Sequence, residues 1–189
     1  MKESDDELMQ RCKDGDMSAF DIIVQRHKTH IINFVYRFLY DYQTAEDITQ
    51  KVFIRIYRNI KRYRPDKAGF LVWMYKIASN LCKNELRNRS LHAKVMIAPA
   101  TSDNDALIDQ IEDSSPTLDL NLENNELNYT LSQAISSLPE KFRAVIILRD
   151  IQNMSYDEIS KIINKPLGTV KSRLNRARLM VKDKVSEYL

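Results

Sequence analysis

The sequence has 189 residues, of which 43% are hydrophobic and 29% are charged, and it contains only three glycines. This length suits one or two small domains, and this composition predicts a soluble, helix-rich protein. No apolar run approaches the about 20 residues that a membrane span needs, and the first residues lack the layout of a signal peptide. A cytoplasmic location is therefore expected.

Charge is distributed unevenly along the chain. Residues 1–94 carry 18 Lys/Arg against 12 Asp/Glu, and residues 141–189 carry 11 against five. The intervening residues 95–140 carry nine Asp/Glu and no Lys or Arg. Two basic blocks separated by an acidic connector indicate two nucleic-acid-binding modules that are joined by an acidic linker.

The first basic block predicts four helices. Apolar residues at helical spacing place them at Glu7–Cys12, at Ser18–Tyr40, from an N-cap at Thr44 to Ile60, and at Ala68–Arg89. The last two of these helices each have a second side that faces away from the predicted core.

Metal binding is not expected. His27 and His30 have an i, i+3 spacing, but no acidic or cysteine cluster accompanies them. Protein metal sites usually need three or four ligands. Cys12 and Cys82 have no metal-binding spacing either, which fits two reduced cysteines in a reducing compartment. No cofactor is predicted.

The third predicted helix carries apolar residues on its polar side. Gln50, Ile54 and Tyr57 project away from the core stripe, with Asp47 beside them and Phe53 at the edge. Single exposed apolar residues are ordinary, but a group of them indicates a surface for a protein partner. Both interpretations remain open from the residues alone.

A basic loop and a basic stripe follow. The loop at 61–67 contains one aromatic residue among its cations, a composition that suits phosphate contact and base stacking. On the next helix Lys76, Lys83 and Arg87 align at i, i+7 and i+11, with Asn80 at the border of the core. Such a surface could hold unpaired DNA, although a solvated helix face would have the same composition.

The acidic connector predicts a linker that is disordered in isolation, over residues 93–122. Helices then resume at 122–136 and at 140–150. They are followed by a helix–turn–helix at Ser155–Arg178, in which Ser155 and Glu158 form a capping box and Pro166 opens the second helix.

The second helix of this pair has two distinct sides. Val170, Leu174, Ala177 and Val181 form one apolar stripe. The opposite side presents short polar and basic side chains, which suit reading of the DNA major groove. The alternative is a solvated basic face on an ordinary helical hairpin. The residues of this polar side are Lys171, Ser172, Asn175, Arg176, Leu179 and Lys182.

Two sets of motifs, in this order, resemble the extracytoplasmic-function (group IV) members of the sigma-70 family, the bacterial RNA polymerase specificity subunits. The segments Ala45–Phe53 and Phe70–Asn80 are similar to the family's conserved region two. The segments Leu138–Arg143, Ser155–Ile159 and Gly168–Arg178 are similar to its region four. The resemblance covers nearly the whole chain.

The resemblance implies an all-α protein with two small helical domains joined by a flexible acidic linker. Residues 1–92 would be region two, 93–122 the linker and 123–189 the region-four helix–turn–helix domain. The implied function is promoter-specific initiation, often in stress responses. The implied partners are core polymerase, through the clamp helices of its largest subunit, promoter DNA in duplex and melted form, and an anti-sigma factor. No small-molecule substrate and no catalytic residue are implied.

The resemblance also assigns roles to residues. Those implied to dock on core polymerase are Asp47, Gln50, Phe53, Ile54 and Tyr57. Those implied to read and melt the −10 element are Lys61, Arg62, Tyr63, Arg64, Lys76, Asn80, Lys83 and Arg87. Those implied to face the −35 element are Lys171, Ser172, Asn175 and Arg176, with Arg149, Thr169, Arg173 and Arg178 on phosphates.

One departure and two alternatives remain. Lys51 stands where the family usually has Glu, which reverses a charge beside the docking face. One alternative is a regulator that binds duplex DNA through its C-terminal module and senses a signal with its N-terminal half. The other is a decoy that docks on polymerase without opening promoters. An enzyme has no support, because no nucleophile triad, carboxylate pair or metal cluster is present.

Overall fold

The protein is built from α-helices, as predicted. The structure, a computed structural model, describes the backbone of residues 3–97 and 122–186 and the side chains of 3–93 and 128–186. Most of the predicted linker therefore lies outside the described residues. The α-helices are α1 (Asp5–Lys13), α2 (Ser18–Leu39), α3 (Tyr42–Arg58), α4 (Phe70–Ile97), α5 (Leu122–Ser136), α6 (Glu140–Ile146), α7 (Tyr156–Ile163) and α8 (Leu167–Ser186).

The first domain packs α1, α3 and α4 around the long helix α2. The largest side chains that are fully buried there come from all four helices, because each helix is amphipathic and turns one stripe inward. They are Leu8, Met9, Ile23, Ile31, Phe34, Phe38, Ile56, Phe70 and Met74. A single 3₁₀ turn, Ile60–Arg62, leads from α3 into the basic loop.

The second domain packs α8 against α5, α6 and α7. The predicted stripe of Val170, Leu174, Ala177 and Val181 is buried, which fixes the rotation of α8 about its axis. Ser155 and Glu158 form the predicted capping box at the start of α7. Asn164 ends α7 in the left-handed conformation with φ 51°, and this sharp stop creates the turn before α8.

The start of α3 differs from the prediction. Asp41, not Thr44, is the N-cap, and its carboxylate accepts bonds from the Thr44 amide at 3.0 Å and the Thr44 hydroxyl at 2.6 Å. The helix therefore begins at Tyr42, ahead of the predicted N-cap at Thr44. Arg89 of α4 donates to the same carboxylate at 2.6 Å and so ties α4 to this cap.

Two further helix boundaries differ. The helix predicted to end at Arg89 continues as α4 to Ile97, into the region expected to be linker, since no proline or glycine interrupts it before Pro99. The helix predicted over 140–150 is α-helical only to Ile146 and then widens into a π-helical turn, Ile147–Ile151. Such turns are rare in proteins, and those that occur are often found at functional sites.

The two domains are in contact. Helix α7 packs against α4, and α5 packs against α2. The helix–turn–helix therefore lies beside the helix that carries the basic stripe. In the described part of the chain, no helix is long and apolar enough to cross a membrane.

Candidate nucleic-acid and partner interfaces

The outward side of α8 is accessible. Lys171, Ser172, Asn175 and Arg176 are all exposed, and Leu179 lies among them with more than half of its surface exposed. Because the opposite stripe of α8 is held in the core, these side chains are presented along a rigid helix. This face has the polarity and the shape that fit a major groove.

Arg178 already has an anionic partner within the protein. Its guanidinium donates to both carboxylate oxygens of Asp150, at 2.9 and 2.5 Å. These bonds raise the pKa of Arg178, whose charge was permanent in any case. A phosphate that binds Arg178 has to compete with this carboxylate.

Tyr156 joins two of the predicted DNA-facing cations. The Arg149 guanidinium lies 5.0 Å from the centre of its ring, and Lys171 Nζ lies 5.9 Å from it. Arg149 also donates to the Met154 carbonyl at 2.8 Å. The ring attracts both cations and so holds the two positive charges close to each other. The sequence analysis missed this residue, whose only signal was its position at the start of the capped helix.

The basic loop presents its cations but not its aromatic ring. Lys61, Arg62 and Arg64 are exposed, whereas Tyr63 is 2% exposed, which contradicts the expectation of an accessible stacking ring. The Tyr63 hydroxyl donates to Asp6 of α1, and its ring packs 5.1 Å from Trp73. Burial and the bond to Asp6 raise the pKa of Tyr63. The ring therefore anchors the loop to the domain.

The stripe on α4 is mostly accessible. Lys76, Asn80 and Arg87 are exposed, and Lys83 is half-buried with its Nζ 4.0 Å from Glu140 of α6. A cavity of about 440 Å³ opens where this stripe meets the basic loop and the turn after α7. Its charged and aromatic lining is Arg62, Tyr63, Arg64, Lys67, Trp73, Lys76 and Lys161. An anion is the ligand that such a lining favours.

The apolar face of α3 borders a second cavity. Ile54 and Tyr57 are about half exposed, at 49% and 52%, whereas Phe53 is buried and forms part of the floor. Asp47 and Gln50 are exposed on the same side. The cavity has a volume of about 400 Å³. Phe53 is therefore part of this candidate partner surface as a lining residue of the groove, not as an exposed ring.

Helix α2 supplies the other wall of this groove. Val24 and Ile32 line it, with Lys28 and Glu46 as its charged residues. The ring of Phe20 packs edge-on against Tyr57, with 5.5 Å between the ring centres. The sequence did not indicate this wall, because periodicity shows which stripe of a helix is apolar but not where a neighbouring helix stops covering it.

His27 is part of a structural hydrogen-bond network with Asp5 and Arg26. Its Nε2 lies 2.8 Å from the Asp5 carboxylate, which also accepts a bond from Arg26 at 2.9 Å. Burial lowers the pKa of His27 despite the nearby carboxylate. Within the described residues, no group of three or more His, Cys, Asp or Glu is placed to hold a metal ion.

Comparison with known families matches both halves of the chain. The family described as Sigma-70 region 2 matches residues 23–91, and the family described as Sigma-70, region 4 matches residues 130–181. The first match spans α2 to most of α4, with the groove, the loop and the stripe. The second spans the helix–turn–helix domain.

Similar proteins cover nearly the full chain. The RNA polymerase sigma-H factor of Pseudomonas aeruginosa is 35% identical over 94% of this chain and 91% of its own. The ECF RNA polymerase sigma-E factor of Escherichia coli is 35% identical over 98% and 96%. The ECF RNA polymerase sigma factor SigW of Bacillus subtilis is 35% identical over 90% of each.

Two solved structures share the fold. CnrH, solved in complex with the cytosolic domain of CnrY, matches with a TM-score of 0.67 and 19% identity over 95% of this chain and 96% of that one. The sigma factor RpoE of Bartonella quintana, solved with the anti-sigma factor NepR, matches with a TM-score of 0.67 and 19% identity over 88% and 96%.

Replacing Asp6 should loosen the basic loop. The Asp6 carboxylate accepts bonds from the Tyr63 hydroxyl and from the Phe70 amide, which opens α4. We expect Asp6→Ala to lower the free energy of unfolding by about 1–3 kcal/mol, because both donors lose their acceptor. Denaturant unfolding measures this change. The exposed Asp14→Ala is the control, and an equal loss in that variant would show that Asp6 has no special role.

Proposed function

The chain belongs to the extracytoplasmic-function group of the sigma-70 family of RNA polymerase sigma factors, and we propose that three separate surfaces carry out its work. As a sigma factor it directs promoter-specific initiation of transcription. The three surfaces are the outward side of α8, the basic loop with the α4 stripe, and the groove between α2 and α3. The presence of all three on one chain is the observation that carries this assignment of residues.

The −35 element is read by α8. Lys171, Ser172, Asn175 and Arg176 enter the major groove, where short polar and basic side chains reach base edges. Arg149, Thr169, Arg173 and Arg178 border this face and contact phosphates, which fix the position of the helix without specifying sequence. The half-buried Arg149 is supported in this role by Tyr156.

The −10 element is opened by the first domain. The exposed Lys61, Arg62 and Arg64 attract the backbone, and Lys76, Asn80, Lys83 and Arg87 extend the basic track along α4. The cavity beside Trp73 offers room and an aromatic wall for an unstacked base. Tyr63 acts from beneath by holding the loop in place.

Core polymerase docks in the groove between α2 and α3. An amphipathic helical partner, such as the clamp helices of the largest subunit, places apolar side chains against Ile54, Tyr57 and the floor formed by Phe53. The exposed Asp47 and Gln50 supply polar contacts at the rim. Lys51 lines a separate cavity with Arg55 and Arg58, which shares Ile54 with the groove. The surface next to the groove is therefore basic and favours an acidic neighbour on the partner.

The remaining features of the proposal follow from this role. The chain contributes no catalytic group, since polymerase supplies the chemistry of initiation, and it acts in the cytoplasm, where polymerase and promoters are found. An anti-sigma factor is a fitting regulator, because a structural relative was solved with one. Such a partner would compete for the same surfaces.

Run-off transcription with purified core polymerase and a promoter library tests the function. The full chain should yield transcripts from a defined subset of promoters, and core polymerase alone should yield none. Tight core binding without any promoter-specific product would favour the decoy alternative.

Arg176→Ala should weaken binding to the −35 element. If the side chain makes a bidentate contact to a base, the loss is about 1–3 kcal/mol and is confined to the preferred sequence. Fluorescence anisotropy with specific and scrambled duplexes measures this difference. Lys182→Ala on the same helix is the control and should weaken both duplexes alike. An unchanged affinity for the specific duplex would remove Arg176 from the reading face.

Ile54→Asp should abolish binding to core polymerase without unfolding the chain. The side chain is half exposed at the rim of the groove, so a carboxylate there costs little in the free protein but would be desolvated in the complex. Pull-down on core polymerase measures binding, and circular dichroism reports the fold. Leu91→Asp, an equally exposed apolar position on α4, is the control. Loss of helix in Ile54→Asp would show that the residue belongs to the core.

A further inference from the structure

The cavity beside Trp73 has a cationic lining that promoter binding does not fully explain. The described residues that line it include no Asp or Glu, and its cations come from three segments of the chain, the basic loop, α4 and α7. Lys161 of α7 belongs to the second domain and is not among the residues assigned to either promoter element. The cations of the lining are Arg62, Arg64, Lys67, Lys76 and Lys161.

These five cations lack counterions within the described part of the chain. Each of them is exposed, and the ion pairs that the described residues form involve other side chains. Like charges that converge without carboxylates repel one another, so an anion bound among them is attracted by all five. An anion with several negative charges fits this cluster best, because a single charge would leave most of it uncompensated.

Hydrogen bonds hold the walls of the cavity in place. The Arg64 carbonyl accepts a bond from the Lys67 amide at 3.2 Å, which folds this part of the loop into a turn. On the side of the second domain, the Tyr75 hydroxyl of α4 donates to Gln152 Oε1 at 2.6 Å, and α7 packs against α4. Lys161 is thereby held beside the loop. Ordered walls reduce the conformational entropy that is lost when a ligand binds.

Trp73 adds an aromatic wall to this cationic lining. Its half-buried ring packs against Tyr63 with 5.1 Å between the ring centres, and the buried Tyr63 is bonded to Asp6. An aromatic ring next to several cations fits a nucleobase joined to phosphates, because bases stack on such rings while Arg and Lys bind phosphate oxygens.

The size of the cavity also fits a nucleotide. Its volume is about 440 Å³. Pockets that hold small molecules in proteins have volumes of about 300–1,000 Å³. A longer DNA strand could place one unstacked base here, but a free nucleotide would place both its base and its phosphates within the same cavity.

We propose that this cavity binds a nucleotide that carries a chain of phosphates, and that such a nucleotide regulates the −10 surface. The phosphates lie among the five cations, and the base packs beside Trp73. The nucleotide competes with promoter DNA, because Arg62, Arg64 and Lys76 are the residues assigned to the −10 element. The identity of the competed surface rests on the proposed function, whereas nucleotide binding rests on the cavity alone.

The fluorescence of Trp73 tests occupancy of the cavity in the full chain. Trp73 is the single tryptophan of the sequence, so a change in tryptophan emission reports this site. ATP and GTP should each change the emission saturably, with one site per chain by calorimetry. Inorganic tripolyphosphate should bind about tenfold more weakly because it has no base to stack. Adenosine, which has no phosphate, should bind more weakly than either.

Two results of this titration would contradict the proposal. If neither ATP nor GTP produced a saturable change, the cavity would not be a nucleotide site. If tripolyphosphate bound as tightly as ATP, the role of the base would be overturned, and the ligand would be an inorganic polyphosphate.

Lys161→Ala tests the contribution of the second domain. Removing one cation from the lining should weaken ATP binding about three- to tenfold. The control is Lys165→Ala, which removes the same charge from an exposed residue that follows α7 and does not line the cavity. Equal losses in the two variants would show a general attraction of anions to a basic chain and would overturn the site.

Competition with DNA tests the regulatory role. ATP should displace from the free chain a fluorescent single-stranded oligonucleotide that carries the −10 element of a promoter found by run-off transcription. Lys161→Ala should require about three- to tenfold more ATP for the same displacement, while its run-off transcription stays unchanged. Nucleotide binding without displacement would overturn the regulatory role. Nucleotide binding by a chain that transcribes from no promoter would overturn the proposed function and leave the nucleotide site intact.

Discussion

One helix, α4, determines the arrangement of the whole molecule, because elements of both domains pack against it. One side of it buries Phe70, Met74, Ala78 and Cys82 in the first domain, at steps of four residues. An adjacent side carries the basic stripe, and a third meets α7. Successive residues of a helix point about 100° apart around its axis, so the three surfaces are fixed relative to one another. A small rotation of α4 would alter all three.

The acidic first turn of α1 holds the basic loop in place through a hydrogen bond between Asp6 and Tyr63. Asp5 is bonded to Arg26 and His27 of α2, while the neighbouring Asp6 is bonded to Tyr63 and to the first amide of α4. Two adjacent carboxylates thereby tie three segments together. The exposed cations of the loop are displayed on a fixed support, so less conformational entropy is lost when they bind.

Local patterns predicted most of the helices and both sides of α8. The capping box at Ser155 and the stripe from Val170 to Val181 depend on residues within a few positions of each other, and both were predicted correctly. The predicted N-cap of α3 was wrong, because Asp41 and Thr44 lie three residues apart and both residue types are favoured at that position. Propensity alone does not decide between them.

Structural features that depend on residues far apart in the chain could not be predicted from sequence patterns. Burial of Tyr63 follows from Asp6, which is 57 positions away, and the groove beside Ile54 needs Val24 and Ile32 from another helix. The contact between the domains joins residues such as Phe38 and Arg143 that are 105 positions apart. No periodicity within a helix carries information about such pairs. The sequence therefore predicted which faces are polar, but not which of them are covered.

The pair of Arg178 and Asp150 has a consequence for how the second domain responds to salt. Asp150 acts as a built-in counterion for a cation at the edge of the DNA-facing surface. When a phosphate takes its place, the duplex releases a condensed cation, but the carboxylate set free beside the phosphate attracts one back. The number of basic residues on α8 therefore overstates the number of ions exchanged on binding. An internal carboxylate of this kind makes binding less sensitive to ionic strength than the net charge of the helix suggests.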